Sequence, residues 1–238
     1  MIEDKAVASR LWAVVPAAGR GSRFGAALPK QYLPLAGKTV IEHSIAALLR
    51  CPEINEVLVA LHAEDETFIK LACAKHPKVR SVTGGLERAE SVELALAALN
   101  GAAATDWVLV HDAARPCLSD ADIHALLLEG REHPLGAILA ARVVDTVKRV
   151  NAQREAVETV DRNTLWRALT PQLFRYGELR AALKHCREHA LPVTDEASAI
   201  EQFGGRPLLV EGSHRNIKIT YPDDLTIATA FLAGGVND

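Results

Sequence analysis

No stretch of this sequence approaches the 18 consecutive apolar residues of a membrane-spanning helix. Residues 1–10 mix acidic and basic side chains and lack an apolar signal core, so no secretion signal is expected either. An excess of one charge is also missing. With a formal net charge of −3 and a pI near 6.3, a general nucleic-acid binder or a binder of anionic membranes is excluded, and any anion site must be a local concentration of cations. C-x-x-C pairs are absent: Cys51, Cys73, Cys117 and Cys186 lie far apart, which excludes a disulfide scaffold or structural zinc and fits reduced thiols. Repeats, low-complexity segments and interdomain linkers are missing too. The expectation is a soluble cytoplasmic protein acting on small substrates, with 238 residues, 49% of them apolar, folding as one domain over 1–238.

What is present centres on VVPAAGRGSRFG, continuing to LPKQ at residues 28–31. An apolar run, residues 11–15, reads as a buried strand and passes at once into small residues and glycines, which let backbone N–H groups approach an anion unhindered by Cβ atoms. The loop then carries two long cations, Arg23 and Lys30, with Pro29 stiffening the approach to the second. It is not a dinucleotide fingerprint, because Phe24 stands where the third glycine belongs, nor a Walker A loop, because no glycine precedes Lys30 and no Ser or Thr follows it. By itself the loop fits nucleotide binding and an ordinary strand-to-helix turn equally.

Periodicity predicts helices over 39–49, 64–74, 88–99, 119–133, 177–189, 195–203 and 222–232. Strands are predicted over 56–61, 79–83, 107–110, 136–141, 206–210 and 216–219. The alternation implies an α/β fold with a mostly parallel sheet and helices on both faces. Ligands of such sheets sit at the carboxyl ends of strands, which brings the loops at 16–30, 84–91 and 111–116 to one crevice. Between 143 and 161 the pattern switches to two alternating runs around a polar turn, a protruding β-arm. An isolated hairpin is marginal in water, so the arm is expected to pack on a symmetry mate.

Within the crevice, His111-Asp112-Ala113-Ala114-Arg115-Pro116 directly follows a buried strand. An aspartate there can hold Mg²⁺ together with substrate phosphates; an Asp–Arg pair that only fixes the loop fits the same spacing. No G-x-S-x-G elbow supports a Ser-His-Asp triad. Gly84-Gly85-Leu86-Glu87-Arg88-Ala89-Glu90-Ser91 opens a helix whose free N–H groups can read a base or an anion, or simply be capped. His185 and His189, one helical turn apart, lack an evident third ligand and fit surface histidines better than a metal site.

The segments VVPAAGRGSRF, PKQYLPL, GGLERAESV, VLVHDAARPC, DTVKR, TVDRNTLWRALTPQ, TDEAS and NIKIT together make the chain similar, over nearly its whole length, to the 2-C-methyl-D-erythritol 4-phosphate cytidylyltransferases. The resemblance implies a Rossmann-like nucleotidyltransferase fold, with a homodimer formed through the arm. It also implies transfer of CMP from CTP to 2-C-methyl-D-erythritol 4-phosphate in nonmevalonate isoprenoid synthesis. On this resemblance Arg23, Lys30, Arg162 and Lys218 would be catalytic. Ala17, Ala18, Gly19, Gly85, Ser91 and Asp112 would line the nucleotide site, with Asp112 also the Mg²⁺ ligand. Thr146, Arg162, Arg115, Thr170 and Lys218 would bind the sugar phosphate, Thr146 and Arg162 coming from the partner's arm. Leu86 departs from the family pattern, which often has Asp there. Ribitol 5-phosphate cytidylyltransferase is the nearest enzymatic alternative, and a non-catalytic nucleotide-binding regulator is a second.

Overall fold

The computed structural model describes residues 9–19 and 28–234. β1 (Leu11–Ala17) carries the apolar run that precedes the glycine loop, and it buries both faces. Leu11, Ala13, Val15 and Ala17 enter one core while Trp12 and Val14 enter another, as the two-residue period of a strand requires. A short hairpin, β2 (Pro34–Leu35) and β3 (Lys38–Thr39), turns through Ala36 and Gly37 at φ of 44° and 81°. It leads into α1 (Val40–Leu49), whose first turn is closed by a Thr39–Glu42 capping box.

Alternation then continues through β4 (Ile54–Leu61), β5 (Val79–Thr83), α2 (Arg88–Ala97), β6 (Trp107–Val110), α3 (Asp120–Glu132) and β7 (Ala137–Arg142). The Ser119 hydroxyl caps α3 by accepting from the Asp122 N–H. The arm is β8 (Val147–Val150) paired with β9 (Ala156–Val160), and after it come β10 (Trp166–Arg175), α4 (Tyr176–Glu188), α5 (Glu196–Gln202), β11 (Leu208–Glu211) and α6 (Asp223–Ala233).

The main sheet has seven strands in the order β11-β7-β10-β6-β1-β4-β5. All run in one direction except β10, which is antiparallel to both neighbours, β6 and β7. Helices α1 and α3 cover one face, and α2, α4 and α5 cover the other. Fully enclosed side chains such as Phe174 and Leu109 each contribute about 1.5–3 kcal/mol relative to exposure. A smaller cluster of Leu35, Val40, Ala114, Cys117, Ile219 and Ala228 lies beneath α6.

Three sequence expectations are corrected. Residues 64–74 do not form an α-helix but two 3-10 turns, Phe68–Lys70 and Cys73–Lys75. The Asp65 carboxylate accepts from the Thr67 and Phe68 N–H groups at 3.0 and 2.9 Å, a local alternative to helical bonding, and Phe68 is the one fully buried anchor of the first turn. Residues 216–219 are not a strand: the Ile219 N–H donates to the Ala114 carbonyl at 2.8 Å, so this strip pairs with the loop after β6 instead of a sheet edge. The segment 166–175, read as motif rather than element, is the reversed strand β10. In addition, the start of α6 is capped from within, Asp224 accepting from the Thr220 and Tyr221 N–H groups at 2.7 and 2.8 Å.

Gly136, the residue before β7, has φ +92°, and a Cβ there would lie 2.1 Å from the Leu173 carbonyl oxygen of β10. Gly136→Ala therefore strains the backbone and the β7–β10 junction together, and is expected to lower stability by at least about 2 kcal/mol. Urea unfolding checks this; a midpoint equal to wild type would mean that the junction opens freely.

Candidate active site at the carboxyl edge of the sheet

β1, β4, β5, β6 and β7 all end on one edge, and because β10 runs the other way its beginning, Trp166 to Thr170, reaches the same edge. The chain steps outward from β1 to β4 and β5 and then returns to β6 on the other side of β1, so the strand order reverses at the β1–β6 pair, where α/β sheets bind ligands. The loop leaving β1 is anchored by Gln31, whose buried side-chain amide donates to the carbonyls of Ala17 and Gly19 at 2.9 and 3.2 Å. Arg23 lies outside the described residues. Beside the loop a cavity of about 390 Å³ is lined by Ala18, Gly19, Gln31 and Tyr32, with His62 and Asp65 from the loop after β4.

The Gly84–Gly85 turn packs directly on that loop. A Cβ on Gly84 would stand 2.9 Å from both the Ala18 Cβ and the Ser91 Oγ, so the approach needs glycine facing alanine. Ser91 is buried and its hydroxyl serves the turn, accepting from the Gly85 N–H at 3.1 Å and donating to the Glu87 carbonyl at 3.0 Å. Leu86 is 95% exposed. Its N–H donates to the Glu90 carboxylate at 2.8 Å.

Asp112 is the centre of the charge distribution. Its Oδ1 accepts from Arg88 Nε at 3.0 Å, its Oδ2 lies 2.8 Å from Lys218 Nζ, and Arg115 Nε is 3.7 Å from Oδ2. Burial alone would raise the Asp112 pKa, but Arg88, then Lys218 and Arg115, outweigh it and hold the carboxyl well below the usual carboxylate range. Arg88 in turn donates from Nη1 and Nη2 to the two oxygens of Glu196, at 2.7 and 2.9 Å. Glu196 has no solvent exposure. Three cations therefore meet two carboxylates here, leaving a net positive site for anions.

Supporting contacts fix this arrangement. The Asp112 N–H donates to the Thr170 hydroxyl at 3.0 Å, and that hydroxyl donates to His111 Nδ1 at 3.0 Å. Since the Arg115 carbonyl 3.1 Å from Nε2 can only accept, the buried imidazole is neutral with its proton on Nε2. Arg115 is buried and donates to the carbonyls of Asn216 and Ala168 at 2.7 and 3.5 Å. Lys30 reaches the same strip, donating to the Ile219 carbonyl at 3.1 Å.

Of the residues singled out from sequence, the structure thus brings Ala17, Ala18, Gly19, Lys30, Gly85, Ser91, Asp112, Arg115, Thr170 and Lys218 to one edge. Thr146 and Arg162 are exposed on and beside the arm, and Arg162 donates to the Val144 carbonyl. Among the described residues neither makes a hydrogen bond or ion pair with Asp112 or Lys218. Gln31, Arg88 and Glu196 were not among the expected site residues. Each stands in a short polar segment, PKQ, ERAES or TDEAS, at the opening of a helical turn, where a charge or an amide reads locally as an ordinary cap. His185 and His189 stack with ring centroids 4.2 Å apart. Among the described residues no group of three or more His, Cys, Asp or Glu is placed to hold a metal, so a divalent cation here would depend on Asp112 and on phosphate oxygens, a donor set that Mg²⁺ accepts.

The family profile "2-C-methyl-D-erythritol 4-phosphate cytidylyltransferase" matches residues 11–234. This chain belongs to that family. The enzyme of that name from Shewanella oneidensis is 52% identical over 97% of this chain and 92% of its own length, and that from Vibrio vulnificus 51% identical over 94% of each. The crystal structure of the Francisella tularensis 2-C-methyl-D-erythritol 4-phosphate cytidylyltransferase superposes with a TM-score of 0.82 at 38% identity, covering 94% of this chain and all of that one. Membership identifies the chain as a CTP-dependent nucleotidyltransferase, and the family fold is the one described above.

Burial lowers the His111 pKa from 6.5 to about 4. Between those values the unfolded chain binds a proton that the folded chain refuses, so stability falls as pH drops through this window, by about 3 kcal/mol in all, and is fully present above it. Wild type should accordingly lose stability between pH 6.5 and 4 relative to His111→Gln, as read from urea midpoints at each pH. Parallel curves for the two proteins would assign the acid sensitivity elsewhere.

Proposed function

We propose that this protein transfers the cytidylyl group of CTP to the phosphate of 2-C-methyl-D-erythritol 4-phosphate, releasing pyrophosphate and forming 4-diphosphocytidyl-2-C-methyl-D-erythritol for nonmevalonate isoprenoid synthesis. The observation that carries this reading is the Asp112 carboxylate, buried among Arg88, Lys218 and Arg115 at the carboxyl end of the β1–β6 pair, in a chain of this family.

The chemistry follows from the charges. A phosphate monoester with a second pKa of about 6 is largely dianionic at neutral pH, so its oxygen is already a nucleophile and no strong base is needed. A bond forms from that oxygen to the α-phosphorus of CTP while the bond from the α-phosphorus to the bridging oxygen breaks, and pyrophosphate leaves with the electron pair. Two anions must be brought into line, so neutralisation and positioning dominate. Lys30, hydrogen-bonded to the 216–220 strip, and Lys218, carried by it, supply cations, and Arg23 is assigned with them by resemblance to the family. The backbone of Ala17, Ala18, Gly19 and Gly85 lines the nucleotide side. Asp112 is the residue that would hold Mg²⁺, which when bound offsets phosphate charge and fixes phosphate geometry.

Pyrophosphate release is expected with CTP and 2-C-methyl-D-erythritol 4-phosphate and to be much slower with ribitol 5-phosphate. Lys30→Ala should retain its fold and lose about 10²-fold in kcat. CTP binding without turnover would convert the reading to that of a regulator; near-normal kcat for Lys30→Ala would take Lys30 out of the chemistry.

The arm bears on the second substrate. Val144, Val150 and Val157 are more than half exposed on or beside it, an apolar surface suited to a second copy of the chain. In the dimer so formed, Thr146 and Arg162 would meet the sugar phosphate in the partner's crevice. Arg162→Ala is expected to raise KM for 2-C-methyl-D-erythritol 4-phosphate about 10-fold or more, as befits a lost charge-assisted hydrogen bond, with a smaller change in kcat. Sedimentation should find a dimer; a fully active monomer would rule out the shared site. The four cysteines are free thiols, in keeping with a reducing cytoplasmic setting.

A further inference from the structure

Arg88 is the first residue of α2, just beyond the Gly84–Gly85 turn, and Glu196 is the first residue of α5. The guanidinium uses all three nitrogens on two carboxylates: both terminal nitrogens go to Glu196, at 2.7 and 2.9 Å, and Nε goes to Asp112 Oδ1, at 3.0 Å. A bidentate pair fixes the plane of the fork, so the direction of the Nε–H bond is set by Glu196 and not by Asp112. Glu196 cannot swing away, being enclosed at the start of α5, where the Ala197 N–H donates to Gln172 of β10 at 2.8 Å. With Oδ1 held in this way, the Asp112 carboxylate keeps Oδ2 toward Lys218.

We infer that Arg88 and Glu196 act as a positioning pair for Asp112, with Glu196 orienting the Arg88 fork so that the Asp112 carboxylate presents Oδ2 to the cation side of the crevice. The inference rests on the cytidylyl-transfer reading above and adds residues to it. The pair also ties the nucleotide-side turn to the phosphate-side loop, since the helix that begins at Arg88 follows the first and Asp112 lies in the second. If Arg88 acted only as a positive charge between Glu196 and Asp112, a lysine in its place would leave turnover intact, because an ammonium supplies the charge without the directed fork.

The test uses the full chain as wild type, as the double variant Arg88→Met with Glu196→Leu, and as Arg88→Lys, which keeps the charge opposite Glu196 but has no Nε–H for Asp112. Melting temperature, kcat, and KM for CTP are measured for each. The expected result is a melting temperature within about 4 °C of wild type, kcat lower by about 10-fold or more as for other lost supporting contacts, and KM changed less than kcat. Wild-type kcat in either folded variant overturns the inference, and so does failure of both variants to fold, which would assign the pair to the fold alone. A wild-type protein without turnover would instead overturn the cytidylyl-transfer reading, and this inference with it.

Discussion

A carboxylate taken out of water is stable only where nearby positive charge outweighs its lost hydration, and at Asp112 that condition dictates much of the surrounding structure. Its cations come from three places: Arg88 from the start of α2, Arg115 from its own loop, and Lys218 from the strip before α6. Each must be delivered to within a few ångströms. Arg88 then needs its own counter-charge, because burial alone would lower its pKa and Glu196, followed by Asp112, raises it instead. The requirement therefore spreads from one carboxylate to α5, and the positive charge left over faces the crevice where strand order reverses.

The reversed strand β10 is what makes these demands compatible. Running antiparallel between β6 and β7, it starts at the carboxyl edge, so Thr170 sits beside the loop after β6 and accepts from the Asp112 N–H. Farther along, the buried Gln172 donates to the Asp195 carboxylate at 2.8 Å and accepts from the Ala197 N–H at 2.8 Å. One strand thus sets both the Asp112 backbone and the start of α5 that carries Glu196.

What could be read from sequence divides along physical lines. β5 and β6 were legible to the residue, β6 as a short apolar run and β5 as a short Val- and Thr-rich stretch, each bounded by polar or turn residues. The cap of α3 at Ser119 was legible for a similarly local reason. β10 was not: Arg167, Thr170, Pro171 and Gln172 interrupt its apolar pattern, and those polar groups are satisfied by partners far away in the chain. The strip at 216–219 looked like a strand for the converse reason, its Ile217 and Ile219 alternation serving the small cluster beneath α6 and not a sheet. Asp112 could be picked out because it follows a buried strand directly. The Arg88–Glu196 pair could not, since its partners stand 108 residues apart and each looks locally like a helix-opening charge.

The loop after β1 shows how a departure from a familiar motif becomes intelligible once neighbours are in place. A dinucleotide fingerprint spends its third glycine on packing a helix close to its strand. Here the close approach is made elsewhere, between Ala18 and Gly84, where a single added Cβ would intrude to 2.9 Å. The chain beyond is fastened at Gln31 and then at Lys30, whose ammonium donates to the Ile219 carbonyl while the Ile219 N–H donates to Ala114. Lys30 and Lys218, 188 positions apart in sequence by their numbers, consequently meet at one strip, the first through its ammonium and the second as part of it, and Lys218 reaches Asp112 from there. The segment that follows the glycine loop and the acidic loop after β6 thus share one support, the strip at 216–220.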